Sequence, residues 1–133
     1  MRNLTSNSNI LNWVDEIISM TNPSKVVWID GSEEQYEELR KEGCSTGELI
    51  KLNEEIYPGC YYHRSQKDDV ARMEDKTFIC SSKKEEAGNT NNWKSPEEAY
   101  KLGREIFTDS MKGRTMYIVP YSMGPVGSPF SKI

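Results

Sequence analysis

Lys25-Val26-Val27-Trp28-Ile29-Asp30 is the stretch on which the fold turns. Its β-branched and aromatic side chains follow one another with almost no polar alternation. That is the pattern of a strand buried on both faces, which belongs to sheets covered by helices. Upstream, Ile10, Trp13, Val14, Ile17 and Ile18 recur at three- and four-residue steps between Asn9 and Met20, which predicts an amphipathic helix ended by Asn22-Pro23-Ser24. Downstream, Asp30-Gly31 makes a turn, and Ser32 stands three residues before Gln35 at capping-box spacing, so residues 33–41 should be helical with Gly43 as the stop.

Further strands are expected at 49–52, 60–64 and 77–80, and four strands by residue 80 imply a sheet. Residues 81–92 are polar and read as an exposed loop. Ser95-Pro96-Glu97-Glu98 starts another helix, with Ala99, Leu102 and Ile106 as its buried face. A strand over 114–120 precedes the irregular stretch 122–129. Strands interleaved with helices predict an α/β or α+β layered domain, the strand order staying open.

The 133 residues, 35% of them apolar, suit a single domain. The net charge of −4 is spread among interspersed signs, which argues against a nucleic-acid partner, although a few converging cations still suffice for a small anion. No apolar run approaches the ~18 residues of a membrane span, and the polar N-terminus lacks a secretory core, so a soluble, cytoplasmic protein is expected. Cys44, Cys60 and Cys80 lie far apart, as suits reduced thiols.

Chemistry-bearing motifs are sparse. Lys112-Gly113-Arg114-Thr115 echoes the end of a phosphate loop without the upstream glycines, so no nucleotide-binding residue is assigned. His63 has no Cys or second His at ligand spacing; it reads as a half-exposed strand residue, and no metal ligand is assigned. His63, Arg64, Lys67 and Arg72 bring four cations together, with Asp68, Asp69, Glu74 and Asp75 among them. The pattern fits a small-anion site or a solvated mixed-charge turn whose surface pairs contribute little. The acidic pairs are adjacent residues, which diverge, and Trp28 and Trp93 read as core or boundary aromatics.

Residues 26–32 (VVWIDGS), 69–80 (DVARMEDKTFIC) and 113–129 (GRTMYIVPYSMGPVGSP) resemble, in order, GTP-type phosphoenolpyruvate carboxykinase, with 49–53 and 91–93 fitting between them. The resemblance implies the layered N-terminal domain of that fold, without its nucleotide-binding C-terminal domain. In this reading residues 1–133 form that domain: 1–24 are a helical lead-in, and 25–133 the family-like α/β region, which stops short at its C-terminal end. The parent enzyme would be a decarboxylating lyase of gluconeogenesis. It converts oxaloacetate and GTP to phosphoenolpyruvate, carbon dioxide and GDP with manganese or magnesium.

Arg72 matches the family's substrate-binding arginine, and Glu74 matches an acidic residue near its lid, for which an ion pair across the loop is the competing role. The resemblance places the catalytic groups, the GTP loop and the metal ligands downstream, so this chain alone is expected to be inactive and to bind neither GTP nor metal. Its implied partners are oxaloacetate or phosphoenolpyruvate and the C-terminal domain of the same enzyme. Residues 114–130 should then leave apolar surface exposed. The alternative is a free-standing, non-catalytic module that binds a small anion or another protein.

Overall fold

A computed structural model of the protein describes residues 4–67, 69 and 73–132. The order is α1 (Ser8–Thr21), β1 (Lys25–Trp28), α2 (Glu33–Thr46), β2 (Ile50–Lys51), β3 (Tyr61–Tyr62), β4 (Phe78–Ile79), β5 (Asn92–Trp93), α3 (Pro96–Phe107) and β6 (Thr115–Ile118), with 3-10 turns at Glu74–Lys76 and Lys84–Ala87. The chain divides into two compact units, residues 1–28 with 70–118, and residues 29–69 with 119–133.

In the first unit the Asn7 side chain caps α1 by accepting the Asn9 N–H at 3.0 Å. The helix stops at Asn22 in the left-handed region (φ 55°). Asn22 Nδ2 then donates to Asp109 Oδ1 at 3.0 Å, while the N–H groups of Asp109 and Met111 donate to the carbonyls of Met20 and Thr21. These bonds latch the end of α1 to the α3–β6 connection. Ser24 completes the latch: its N–H donates to the Arg114 carbonyl and its Oγ accepts from the Gly113 N–H at 3.0 Å. β1 therefore lies parallel to β6, with Lys25 opposite Thr115 and Trp28 opposite Ile118.

The start of α3 follows the sequence expectation. Ser95 Oγ accepts the Glu98 N–H at 3.2 Å and donates to Glu98 Oε2 at 3.0 Å, with Pro96 in the first turn. Ser95→Ala should lower stability by about 1 kcal/mol, as loss of an N-cap does. The check is the urea midpoint, with the slope of the transition unchanged.

Several expectations are corrected. Leu102 and Ile106 are exposed, whereas Ala99 and Gly103 are half-buried and, with Tyr100 and Phe107, stand on the side of α3 that lines the groove beside α1. Trp13 and Ile10 of α1 are exposed as well, leaving Val14 as that helix's buried apolar contact. Val26, Val27 and Trp28 of β1 are half-buried and Lys25 is exposed, where a strand buried on both faces was expected. Among the described residues the strands form three separate pairs, β1–β6 and β4–β5 parallel and β2–β3 antiparallel, where a common sheet was expected. The stretch read as loop contains the turn that buries Ala87, and it leads straight into β5.

In the second unit Gln35 N–H donates to Ser32 Oγ at 3.2 Å, as the spacing predicts. The reciprocal bond differs from a capping box: Gln35 Oε1 accepts the N–H of Asp30, and Asp30 Oδ1 accepts that of Ser32, each at 2.8 Å. Ser32's N–H and hydroxyl hold the Asp30 carboxyl below its ordinary range. α2 does not stop at Gly43; it runs to Thr46 and ends on Gly47 at φ 81°. Gly43 instead admits Leu49, whose N–H donates to the Gly43 carbonyl at 2.9 Å and whose Cδ1 lies 2.9 Å from where a Cβ would stand. Arg40 stacks 3.8 Å from the Tyr36 ring centre and 5.5 Å from that of Tyr61, fastening α2 to β3.

Candidate functional site

β3 delivers the chain to the cationic stretch. His63 Nδ1 lies 2.7 Å from the Glu48 carbonyl oxygen; a carbonyl only accepts, so Nδ1 carries the proton and Nε2 is the other ring position. Glu48, His63, Arg64, Ser65, Gln66 and Asp69 line an open depression of about 370 Å³, and the Asp69 N–H donates to the Gln66 carbonyl at 3.1 Å. Of the four cations grouped from the sequence, His63 and Arg64 line the depression and Lys67 does not, while Glu48 and Asp69 share it and offset their charge. Every described residue of this stretch is exposed, which keeps such interactions weak.

Arg72, together with Asp68, Val70 and Ala71, lies outside the described residues. Glu74 opens the 3-10 turn that follows, and Asp75 lies within it. Among the described residues no ion pair involves the Glu74 carboxylate. The backbone of this turn is held from a distance in sequence. Asn92 Nδ2 donates to the Glu74 carbonyl at 2.8 Å and to the Thr77 carbonyl at 3.3 Å, while Thr77 Oγ1 donates to the Met73 carbonyl at 2.7 Å.

Asn92 is the residue that pattern reading missed. An asparagine at the end of a polar stretch carries no local signal of a clamp, although Asn91-Asn92-Trp93 belongs to the resemblance stated above. Its ring-bearing neighbour is tied too, Trp93 Nε1 donating to the Ser81 carbonyl at 3.1 Å.

A larger groove, about 630 Å³, runs between α1 and α3. Trp13, Ile17, Met20, Tyr100 and Phe107 line it, and an ion pair between Glu16 and Arg104 marks its edge. It contains none of the residues singled out in the cationic stretch. Cys80 also borders it, and all three cysteines are free and exposed. Among the described residues no three His, Cys, Asp or Glu side chains converge to hold a metal ion, so they do not fit the divalent cation that the resemblance implies for the parent enzyme. Among the same residues no helix is long and apolar enough to cross a membrane.

What the fold and the loops define is a mixed α/β domain that presents its chemistry-bearing residues on open connections after short strands. The chain belongs to the phosphoenolpyruvate carboxykinase N-terminal domain family, whose model matches residues 12–133 and so takes in all three segments that carry the resemblance. It is 51% identical over 129 residues to the phosphoenolpyruvate carboxykinase (GTP) of Anaeromyxobacter sp. (strain K), covering 97% of this chain and 22% of that enzyme. The same enzyme of Corynebacterium jeikeium (strain K411) is 49% identical over 129 residues, covering 97% and 21%. That of Chlamydia muridarum (strain MoPn / Nigg) is 45% identical over 128 residues, covering 96% and 21%. The chain therefore spans about a fifth of the length of the curated relatives it matches.

Proposed function

We propose that this chain acts as the N-terminal, substrate-side part of a GTP-dependent phosphoenolpyruvate carboxykinase of gluconeogenesis in the cytoplasm. The observation that carries this reading is the 51% identity to such an enzyme across 97% of the chain. Residues 1–133 supply one wall of the site, and the C-terminal domain of the same enzyme supplies the GTP loop, the manganese or magnesium ligands and the lid. Loss of carbon dioxide from oxaloacetate leaves an enolate, whose oxygen then takes the phosphoryl group of GTP, and nearby positive charge stabilises that enolate.

In this scheme Arg72 binds the carboxylate substrate. Its planar guanidinium donates two parallel hydrogen bonds, which fixes orientation as well as charge. Glu74, two residues on, serves the lid or an ion pair across the loop. Asn92 supports both from outside the site, because its bonds to the Glu74 and Thr77 carbonyls hold the downstream end of the segment that carries Arg72. The metal supplies further positive charge and is assigned no residue of this chain.

The test is a hybrid enzyme in which this chain replaces the matching portion of the Anaeromyxobacter sp. (strain K) carboxykinase. The hybrid should form phosphoenolpyruvate from oxaloacetate and GTP. The chain alone should do neither this nor bind GTP in the micromolar range by calorimetry. A folded but inactive hybrid, or a stoichiometric micromolar GTP complex of the chain alone, overturns the proposal.

A further inference from the structure

The 3-10 turn Glu74–Lys76 is exposed throughout, so its geometry rests on hydrogen bonds more than on packing. Its own backbone supplies two of them: the Lys76 N–H donates to the Met73 carbonyl and the Thr77 N–H to the Glu74 carbonyl, both at 3.2 Å. Each of these carbonyls takes a second, shorter bond from a side chain. Thr77 Oγ1 donates to Met73 at 2.7 Å, and Asn92 Nδ2 donates to Glu74 at 2.8 Å. A carbonyl oxygen has two lone pairs, so both acceptors are full and both peptide planes are held from two directions. A 3-10 turn closes on its backbone bonds alone, and the side-chain bonds are additional to it.

The two side chains are also coupled to each other. Asn92 Nδ2 donates to the Thr77 carbonyl at 3.3 Å, and Asn92 stands opposite Phe78 in the parallel pair of β4 and β5. On the far side of β4 the Trp93 indole N–H donates to the Ser81 carbonyl, and the Lys94 N–H donates to that of Ile79 at 3.2 Å. β5 thus grips the chain before, along and after β4, and Thr77 passes that anchorage to Met73, the residue that follows Arg72 in sequence.

Resting on the role proposed above for Arg72, we infer that Thr77 and Asn92 are positioning residues of the carboxykinase reaction. They touch no substrate. By fixing the peptide planes of Met73 and Glu74 they set the place from which the adjoining guanidinium meets the carboxylate. A planar fork bonds both carboxylate oxygens only within a narrow range of angle and distance, so a site built on it needs a support that does not yield. Thr77 is the link in this support: without its hydroxyl, Asn92 still holds Glu74 and Thr77, but the side-chain bonds no longer reach Met73.

The test is a set of double-mutant cycles in the full-length hybrid. Thr77→Val keeps the shape of the side chain and removes its donor, and Asn92→Ala removes the other donor. Each should lower kcat/KM for oxaloacetate by roughly three- to tenfold, the worth of one or two such hydrogen bonds. Thr77→Ser should restore most of the first loss, and KM for GTP should stay unchanged. In an Arg72→Ala background the same substitutions should cost less than about twofold, since the contact through which they act is gone. Equal losses in both backgrounds overturn the inference and make the pair a support of the fold alone. So does a hybrid that loses activity with Arg72→Ala yet keeps it with Thr77→Val and Asn92→Ala, and the proposed function then stands. Thr77 is exposed and valine nearly isosteric with it, so Thr77→Val carries the test if Asn92→Ala does not fold. If Arg72→Ala leaves the kinetics unchanged, or the hybrid is inactive, the reading on which the inference rests fails and the inference falls with it.

Discussion

Arg72→Ala in the full-length hybrid should lower kcat/KM for oxaloacetate by roughly ten- to two-hundred-fold, because a charge-assisted hydrogen-bonded contact to an anion contributes about 1.5–3 kcal/mol. Arg72→Lys should recover only part of the loss, since an ammonium keeps the charge but not the planar fork. Affinity for GTP should change little, since the role proposed for Arg72 is to bind the carboxylate substrate. A variant that folds, binds GTP and keeps oxaloacetate kinetics within about twofold of the parent would return Arg72 to the solvated mixed-charge turn. The loss should appear in KM if the contact serves ground-state binding alone, and in kcat if it tightens as the enolate forms.

Met116→Ala should destabilise the first unit by about 2–5 kcal/mol, the usual cost of removing a long apolar side chain from a packed interior. Among the described residues the buried apolar side chains are Val14, Ala87 and Met116, all within that unit, and Met116 is 8% exposed in the centre of β6 opposite Val26 of β1. With so small a core, each member carries a large share of the burial. Tyr117, the next residue of the strand, is 42% exposed, since successive side chains alternate between faces. Tyr117→Ala should therefore cost about 1 kcal/mol or less. Chemical denaturation followed by tryptophan fluorescence checks both, and comparable losses for the two variants would show that β6 is not the centre of the unit.

Local signals in the sequence located most elements, because caps and turns depend on a few adjacent residues. Ser95-Pro96-Glu97-Glu98 marks the start of α3, and the periodicity over 9–20 finds α1 to within a residue at each end. Local pattern misleads where a distant residue decides. Gly43 is a helix breaker by propensity, yet the approach of Leu49 makes it a mid-helix contact. Of the run 25–30, Lys25–Trp28 form a strand, half-buried from Val26 on, whose partner among the described residues is β6, far along the chain. Leu102 and Ile106 have helical spacing, which gives a face without saying whether anything covers it. For the site, Arg72 and Glu74 came from resemblance over residues 69–80, while the clamp by Asn92 depends on a fold-level approach that no local pattern encodes.

The latch that sets β1 beside β6 also governs the order of events at the ribosome. Residue 25 must wait for residue 115, and at ~5–20 residues per second that delay is roughly 5–20 s. Over this interval Val26, Val27 and Trp28 form an emerged apolar strand without its partner, and closing so long a loop is entropically costly before any contact rewards it. Asn22 and Ser24, whose own partners Asp109, Gly113 and Arg114 arrive just ahead of β6, are placed to shorten the search once those residues leave the exit tunnel. The nascent chain is thus most open to chaperone capture and mispairing between the emergence of β1 and that of β6.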